Sequence, residues 1–193
     1  MTHPVTSDAR EHVGVIRICV TGPECTGKTT LAHRLATQFR AEHVPEAARL
    51  YAERVRRELT VADVELIALE HIVMADDAAR RVIDRGGGAL VLDTDLASTL
   101  TYGRHYYDFT SDWLQAETRK RRADLYLLCD VDVPWVSDGI RDRPTGRSEM
   151  FELFSKSLRD IDGHVAVIRG SWDERWASAL AACTELLGIA RRT

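Results

Sequence analysis

After a polar lead-in over residues 1–13, short apolar runs alternate with longer stretches whose apolar residues recur every three to four positions. The short runs are Val15–Thr21, a brief stretch around His43–Pro45, Ala89–Asp93, Asp124–Cys129 and Val165–Ile168. In the longer runs the apolar residues are nearly continuous, which fits strands buried on both faces. Strands of that kind separated by helices predict an α/β fold with a parallel sheet covered by helices.

The helical stretches carry their own punctuation. Thr60 with Asp63 and Ser171 with Glu174 have capping-box spacing and mark two helix starts. In the last helix Trp176, Leu180, Cys183 and Leu187 form a core stripe, and Gly188 is the expected stop. Gly86-Gly87-Gly88 reads as a helix stop and turn before the third strand. His43 and His71 read as ordinary surface or satisfied histidines.

Composition narrows the class. A chain of 193 residues, 45% hydrophobic, predicts one domain over 14–193 after a flexible segment at 1–13. With a net charge of −4 and mixed signs along the chain, no nucleic-acid or membrane-surface footprint is present. No stretch reads as a signal peptide or a bilayer span, so a cytoplasmic protein is expected. The four cysteines lie far apart: Cys19, Cys129 and Cys183 read as buried small hydrophobes, whereas Cys25 falls in a loop. Nothing in the pattern specifies an oligomeric state.

That loop carries the sharpest signal. Gly22, Pro23, Glu24, Cys25, Thr26, Gly27, Lys28 and Thr29 follow the strand VIRICV and open the helix TLAHRLATQF, a Walker A pattern that extends to Thr30. Glycines let the backbone curl around a β-phosphate, and successive amides with the helix N-terminus turn positive dipole toward it. Lys28 adds a point charge for the β- and γ-phosphates, and the Thr29 hydroxyl suits Mg2+. ATP and magnesium are therefore the expected cofactors. No Asn-Lys-x-Asp guanine-reading motif is present.

In a parallel sheet the ligand lies beyond the carboxyl ends of the strands. Two strands end on acids there: ALVL runs into Asp93-Thr94-Asp95, and HVP runs into Glu46, followed by Arg49. Asp93 suits the metal side beside Thr29, Asp95 the metal waters or the acceptor, and Glu46 a general base or a partner for ribose hydroxyls. A plain Glu46–Arg49 pair across one helical turn is the alternative for Glu46. After the fourth strand, Arg141, Arg143 and Arg147 fall within seven positions in a segment punctuated by Pro134 and Pro144, a basic segment able to fold over triphosphate as a lid. Pairing of these arginines with Asp138, Asp142 and Glu149 is the simpler alternative.

These blocks resemble the ribosylnicotinamide kinase domain of the NadR family. The resemblance runs from about Ile16 to Ala177 and rests on GPECTGKTTLA, VPEAAR, LDTD, DLYLLCDVDVPWVSDGIRDRPTGR and IRGSWDERWASA. It implies a P-loop kinase with a five-stranded parallel sheet, thymidylate-kinase-like with an arginine lid, that phosphorylates nicotinamide riboside to the mononucleotide with ATP and magnesium. It implies further that Lys28 and Thr29 hold triphosphate and metal, that Asp93 and Asp95 are the strand-three acids, that Arg141 and Arg147 belong to the lid, and that Gly170 and Trp172 lie near adenine. Ala47, Leu50 and Glu70-His71 depart from the family pattern on the acceptor side. With only residues 1–21 before the loop, an adenylyltransferase domain there is not expected. A kinase for another nucleoside or small metabolite, and a nucleotide-binding regulatory ATPase switch, remain the competing readings.

Overall fold

The computed structural model of the chain describes residues 14–133 and 146–190. Five strands, β1 (Val15–Thr21), β2 (Glu42–Val44), β3 (Gly88–Asp93), β4 (Leu125–Cys129) and β5 (Val165–Ile168), form one sheet in the order β2-β3-β1-β4-β5. Every pairing is parallel. The helices are α1 (Lys28–Phe39), α2 (Ala47–Val55), α3 (Val64–Asp84), α4 (Leu96–Tyr107), α5 (Asp112–Lys120), α6 (Arg147–Asp160) and α7 (Trp172–Ala190).

The continuous apolar runs are explained by the two faces they serve. Cys19, Leu90, Leu92, Tyr126 and Leu128 point to one side, where α3 brings Ala78 and Val82 and α6 brings Phe154 and Leu158. Their sequence neighbours Ile18, Val20, Val91, Leu127 and Cys129 point to the other, against Ala32 and Leu35 of α1 and Ala179 and Cys183 of α7. Alternate residues thus fill opposite cores, and neither set has a polar position to spare. Cys19, Cys129 and Cys183 are buried as expected.

Local punctuation holds at both predicted helix starts. The Asp63 carboxylate accepts from Thr60 N at 2.8 Å at the head of a short 3-10 turn, Val61–Asp63, that runs into α3. Ser171 N donates to Glu174 Oε2 at 2.8 Å at the head of α7. Between α3 and β3, Gly86 and Gly87 take φ of 88° and 98°, and a side chain at Gly87 would stand 2.8 Å from the Gly14 carbonyl oxygen. That close approach, with the left-handed backbone, requires glycine.

Two expectations are corrected. Helix α7 continues through Gly188 to Ala190, because a glycine inside a helix costs only about 1 kcal/mol when packing carries the rest. Of the two histidines expected to be surface or satisfied, His71 takes the non-surface alternative, buried inside α3 with its pKa lowered to about 4 by burial and by the nearby Arg121, and His43 departs from both. His43 stacks on His33 of α1 with ring centroids 4.1 Å apart, and its Nε2 is buried without a hydrogen-bond partner among the described residues.

The strand order places β1 between β3 and β4, so the chain leaves β1 where the sheet's winding reverses direction. That is the topological switch point, the crevice where open parallel sheets bind ligands. The expected lead-in over residues 1–13 lies outside the described residues. Among the described residues no helix is long and apolar enough to cross a membrane.

Candidate active site

The loop from Gly22 to Thr29 leaves β1 and enters α1 through a sequence of tight constraints. Gly22 has φ 129°, and a Cβ there would lie 2.7 Å from the Cys129 carbonyl oxygen, so only glycine lets the loop pass the end of β4. Gly27, with φ 78°, caps α1 without a side-chain hydrogen bond, which leaves the helix N-terminus facing into the loop. Cys25 adopts φ 54° between them. The Pro23 carbonyl accepts from Thr26 Oγ1 at 2.8 Å and from Lys28 Nζ at 2.7 Å, closing the loop on itself.

Asp93 ends β3 beside this loop and is 1% exposed. Burial pushes its pKa up, the hydroxyl of Thr29 lowers it by hydrogen bonding, and the charge of Glu46 raises it again. Its Oδ1 is buried and has no hydrogen-bond partner among the described residues. A buried carboxylate oxygen in that condition, next to a threonine hydroxyl, fits a hard cation that takes oxygen ligands. The expected pair for magnesium, Thr29 and Asp93, is therefore brought together.

The second strand-three acid is corrected. Asp95 is the N-cap of α4: its Oδ1 accepts from Ala97 N at 3.0 Å and Ser98 N at 3.4 Å, and its Oδ2 from the Tyr126 hydroxyl at 2.7 Å. Both oxygens are consumed inside the fold, so the residue positions α4 instead of meeting metal waters or acceptor. What separates the two acids is Thr94, whose φ of 66° reverses the backbone between them. A β-branched residue in the left-handed region is an outlier that carries strain.

Glu46 stands at the N-cap position of α2 with its side chain 12% exposed, 3.8 Å from Arg49 Nε. It lines a cleft of about 810 Å³ that runs from the loop outward, with Glu24, Glu46 and Thr94 at the loop end and Tyr102, Tyr106 and Tyr107 on the wall made by α4. The rings of Tyr102 and Tyr106 stack with centroids 5.7 Å apart.

On the far side of the loop, Arg147 at the start of α6 donates from Nη2 to the Cys25 carbonyl at 3.3 Å and from Nη1 to the Val133 carbonyl at 3.2 Å. The other two arginines of the expected lid, Arg141 and Arg143, lie outside the described residues. Gly170 follows β5, and Trp172 lays its ring against Gly27, where an added Cβ would come within 2.5 Å of it. Three residues of this neighbourhood escape a sequence reading: Thr94, Tyr102 and Arg175. Thr94 acts through its backbone conformation and Arg175 through side-chain bonds to distant backbone carbonyls, and neither leaves a mark in a pattern of residue types. Tyr102 is separable from core aromatics only once the face of α4 is known.

Against known proteins, the profile of the AAA_28 family, described as an AAA domain, matches residues 17–175. The trifunctional NAD biosynthesis/regulator protein NadR is 25% identical over 181 residues in Salmonella typhimurium and 26% identical over 183 residues in Escherichia coli. Those alignments take in 89% and 90% of this chain, but the chain spans only 42% and 43% of those relatives. Among solved structures, NadR in complex with NR matches with a TM-score of 0.74 and 28% identity, covering 90% of this chain and 52% of that one. Thymidylate kinase from Ehrlichia chaffeensis shares the fold with a TM-score of 0.56 and 17% identity, over 90% of this chain and 99% of that one. With the phosphate loop at the switch point of the sheet and the family match running through it, the chain belongs to the AAA_28 family, AAA domains of the P-loop kinase fold.

Proposed function

We propose that residues 14–193 form one kinase domain that transfers the γ-phosphoryl group of ATP to the ribose hydroxyl of nicotinamide riboside, giving the mononucleotide in cytoplasmic NAD salvage. The observation that carries this reading is the cleft lined by Glu24 of the loop, by Glu46 and by Thr94, the residue that follows Asp93, whose Oδ1 has no hydrogen-bond partner among the described residues. The likeness to NadR, one structure of which is solved with NR, favours this riboside over other acceptors. A second NadR structure contains NAD and AMP-PNP.

The chemistry of the acceptor fits the cleft. Nicotinamide riboside is a pyridinium cation, and the cleft lining holds Glu24, Glu46, Glu53 and Glu58 against Arg56 and Arg57, with tyrosine faces for an aromatic cation. Lys28 and the loop amides hold the triphosphate, and Thr29 and Asp93 hold magnesium, which when bound neutralises phosphate charge. Glu46, at the exit of the edge strand β2, orients the acceptor hydroxyl and accepts its proton as the new bond forms. Arg147, held against the Cys25 carbonyl of the loop, adds positive charge near the transferring group.

The test is ATP consumption measured with a panel of ribosides, including nicotinamide riboside and its uncharged reduced form. A rate stimulated by the cationic riboside, with the mononucleotide as product, supports the proposal. Stimulation by a different acceptor reassigns the substrate, and one slow rate throughout indicates an ATPase switch.

A further inference from the structure

Among the described residues Arg175 is the most enclosed cation of the site region, 2% exposed one turn into α7. Its guanidinium reaches four acceptors on three separate loops. Nη1 donates to the Thr26 carbonyl at 3.3 Å, Nε to the Gly170 carbonyl at 3.1 Å, and Nη2 to the Asp130 carbonyl at 2.7 Å and to the Asp132 carboxylate. Asp132 in turn accepts from Gly170 N. The exits of β1, β4 and β5 are thereby joined through one side chain, covered by Trp172, whose ring lies 5.7 Å from the guanidinium carbon.

A trans peptide holds its N–H opposite its C=O. Fixing a carbonyl on the outside of the loop therefore aims the next residue's amide inward. Two loop carbonyls are fixed this way, Cys25 by Arg147 and Thr26 by Arg175, whereas that of Pro23 is held within the loop by Lys28 and Thr26. The amides set by the two arginines are those of Thr26 and Gly27, in the arc where an anion is cradled by successive N–H groups.

We propose that Arg175 is a positioning residue for the nucleotide's β-phosphate: by holding the Thr26 carbonyl outward it keeps the Gly27 amide turned into the loop. Lysine is no substitute, because a single ammonium cannot serve acceptors that diverge around a planar fork. The inference rests on the nucleotide reading of this loop and is independent of the acceptor's identity.

The experiment compares ADP and AMP binding, each with magnesium, in the parent, Arg175→Met and Arg175→Lys, with ligand-free melting recorded alongside. Arg175→Met is expected to weaken ADP by about ten-fold or more while AMP, which lacks the β-phosphate, changes by less than about two-fold. Arg175→Lys recovers only part of the loss, and guanidinium ion added to Arg175→Ala restores ADP binding over AMP. Asp132→Asn, which keeps the arginine and its three carbonyl contacts, shows the same preference in weaker form and serves if Arg175→Met does not fold. Equal losses for ADP and AMP, or unchanged ADP affinity, overturn the proposal whatever happens to the melting temperature. A parent protein that binds no ADP overturns the nucleotide reading itself, and this inference with it.

Discussion

The ammonium of Lys28 lies 2.7 Å from the carbonyl oxygen of Pro23, so the residue proposed to meet the γ-phosphate also closes its own loop. In the proposed mechanism the same charge is directed at phosphate, where a preorganised donor in a site that excludes water is worth far more than in solution. Lys28→Ala is expected to lower the turnover number by on the order of 10² or more. Steady-state kinetics with saturating ATP checks this, and near-normal turnover would rule out the proposed mechanism.

Asp93 ends β3 and Glu46 follows the neighbouring strand β2 as the N-cap of α2, and the separate roles proposed for them make a paired prediction. Glu46→Gln removes a proton acceptor on the cleft side and is expected to slow riboside phosphorylation by about 10²-fold while leaving the magnesium requirement unchanged. Asp93→Asn removes charge beside Thr29 and is expected to raise the magnesium concentration for half-maximal rate. Magnesium titrations of both variants decide the matter, and the reverse pattern would exchange the two assignments.

Thr94 carries strain that a residue without a Cβ would not. Its φ of 66° is paired with 7% exposure and a place in the cleft wall. Thr94→Gly is expected to stabilise the fold by about 1 kcal/mol, net of the extra freedom glycine gives the unfolded chain. The same variant is expected to raise the acceptor KM several-fold with the ATP KM unmoved. Denaturant unfolding and two-substrate kinetics read the two effects independently, and a variant no more stable than the parent would show that the turn is not strained.

His71 supplies a pH dependence with a definite sign. Burial in α3 and the charge of Arg121 lower its pKa to about 4, against an ordinary value of 6.5. Between those values the unfolded chain binds a proton that the folded one refuses, so stability rises with pH across this window and is lost as pH falls through it. The contribution is about 3 kcal/mol between pH 7 and pH 4. His71→Gln is expected to flatten that part of the profile, measured as unfolding free energy against pH. A variant that loses stability as steeply as the parent would place the responsible group elsewhere.

The order of strands and helices, the loop and the pair Thr29 and Asp93 were legible in the sequence, because each follows from local constraints. Continuous apolar runs need two covered faces, and a glycine loop between strand and helix has one well-known use. Even the boundaries of β1 and β5 agree with the apolar runs, Val15–Thr21 and Val165–Ile168. Asp95 shows where local reading stops. It shares a strand end with Asp93, but a left-handed turn at Thr94 sends one carboxylate to the loop and the other to the amides of α4 and to Tyr126, residue types alone being unable to specify that reversal. Arg175 is the same lesson at longer range. Its partners Thr26, Asp130 and Gly170 belong to three strand exits that meet only when the sheet assembles in the order β2-β3-β1-β4-β5, so tertiary structure alone decided that a helix arginine would hold the phosphate loop.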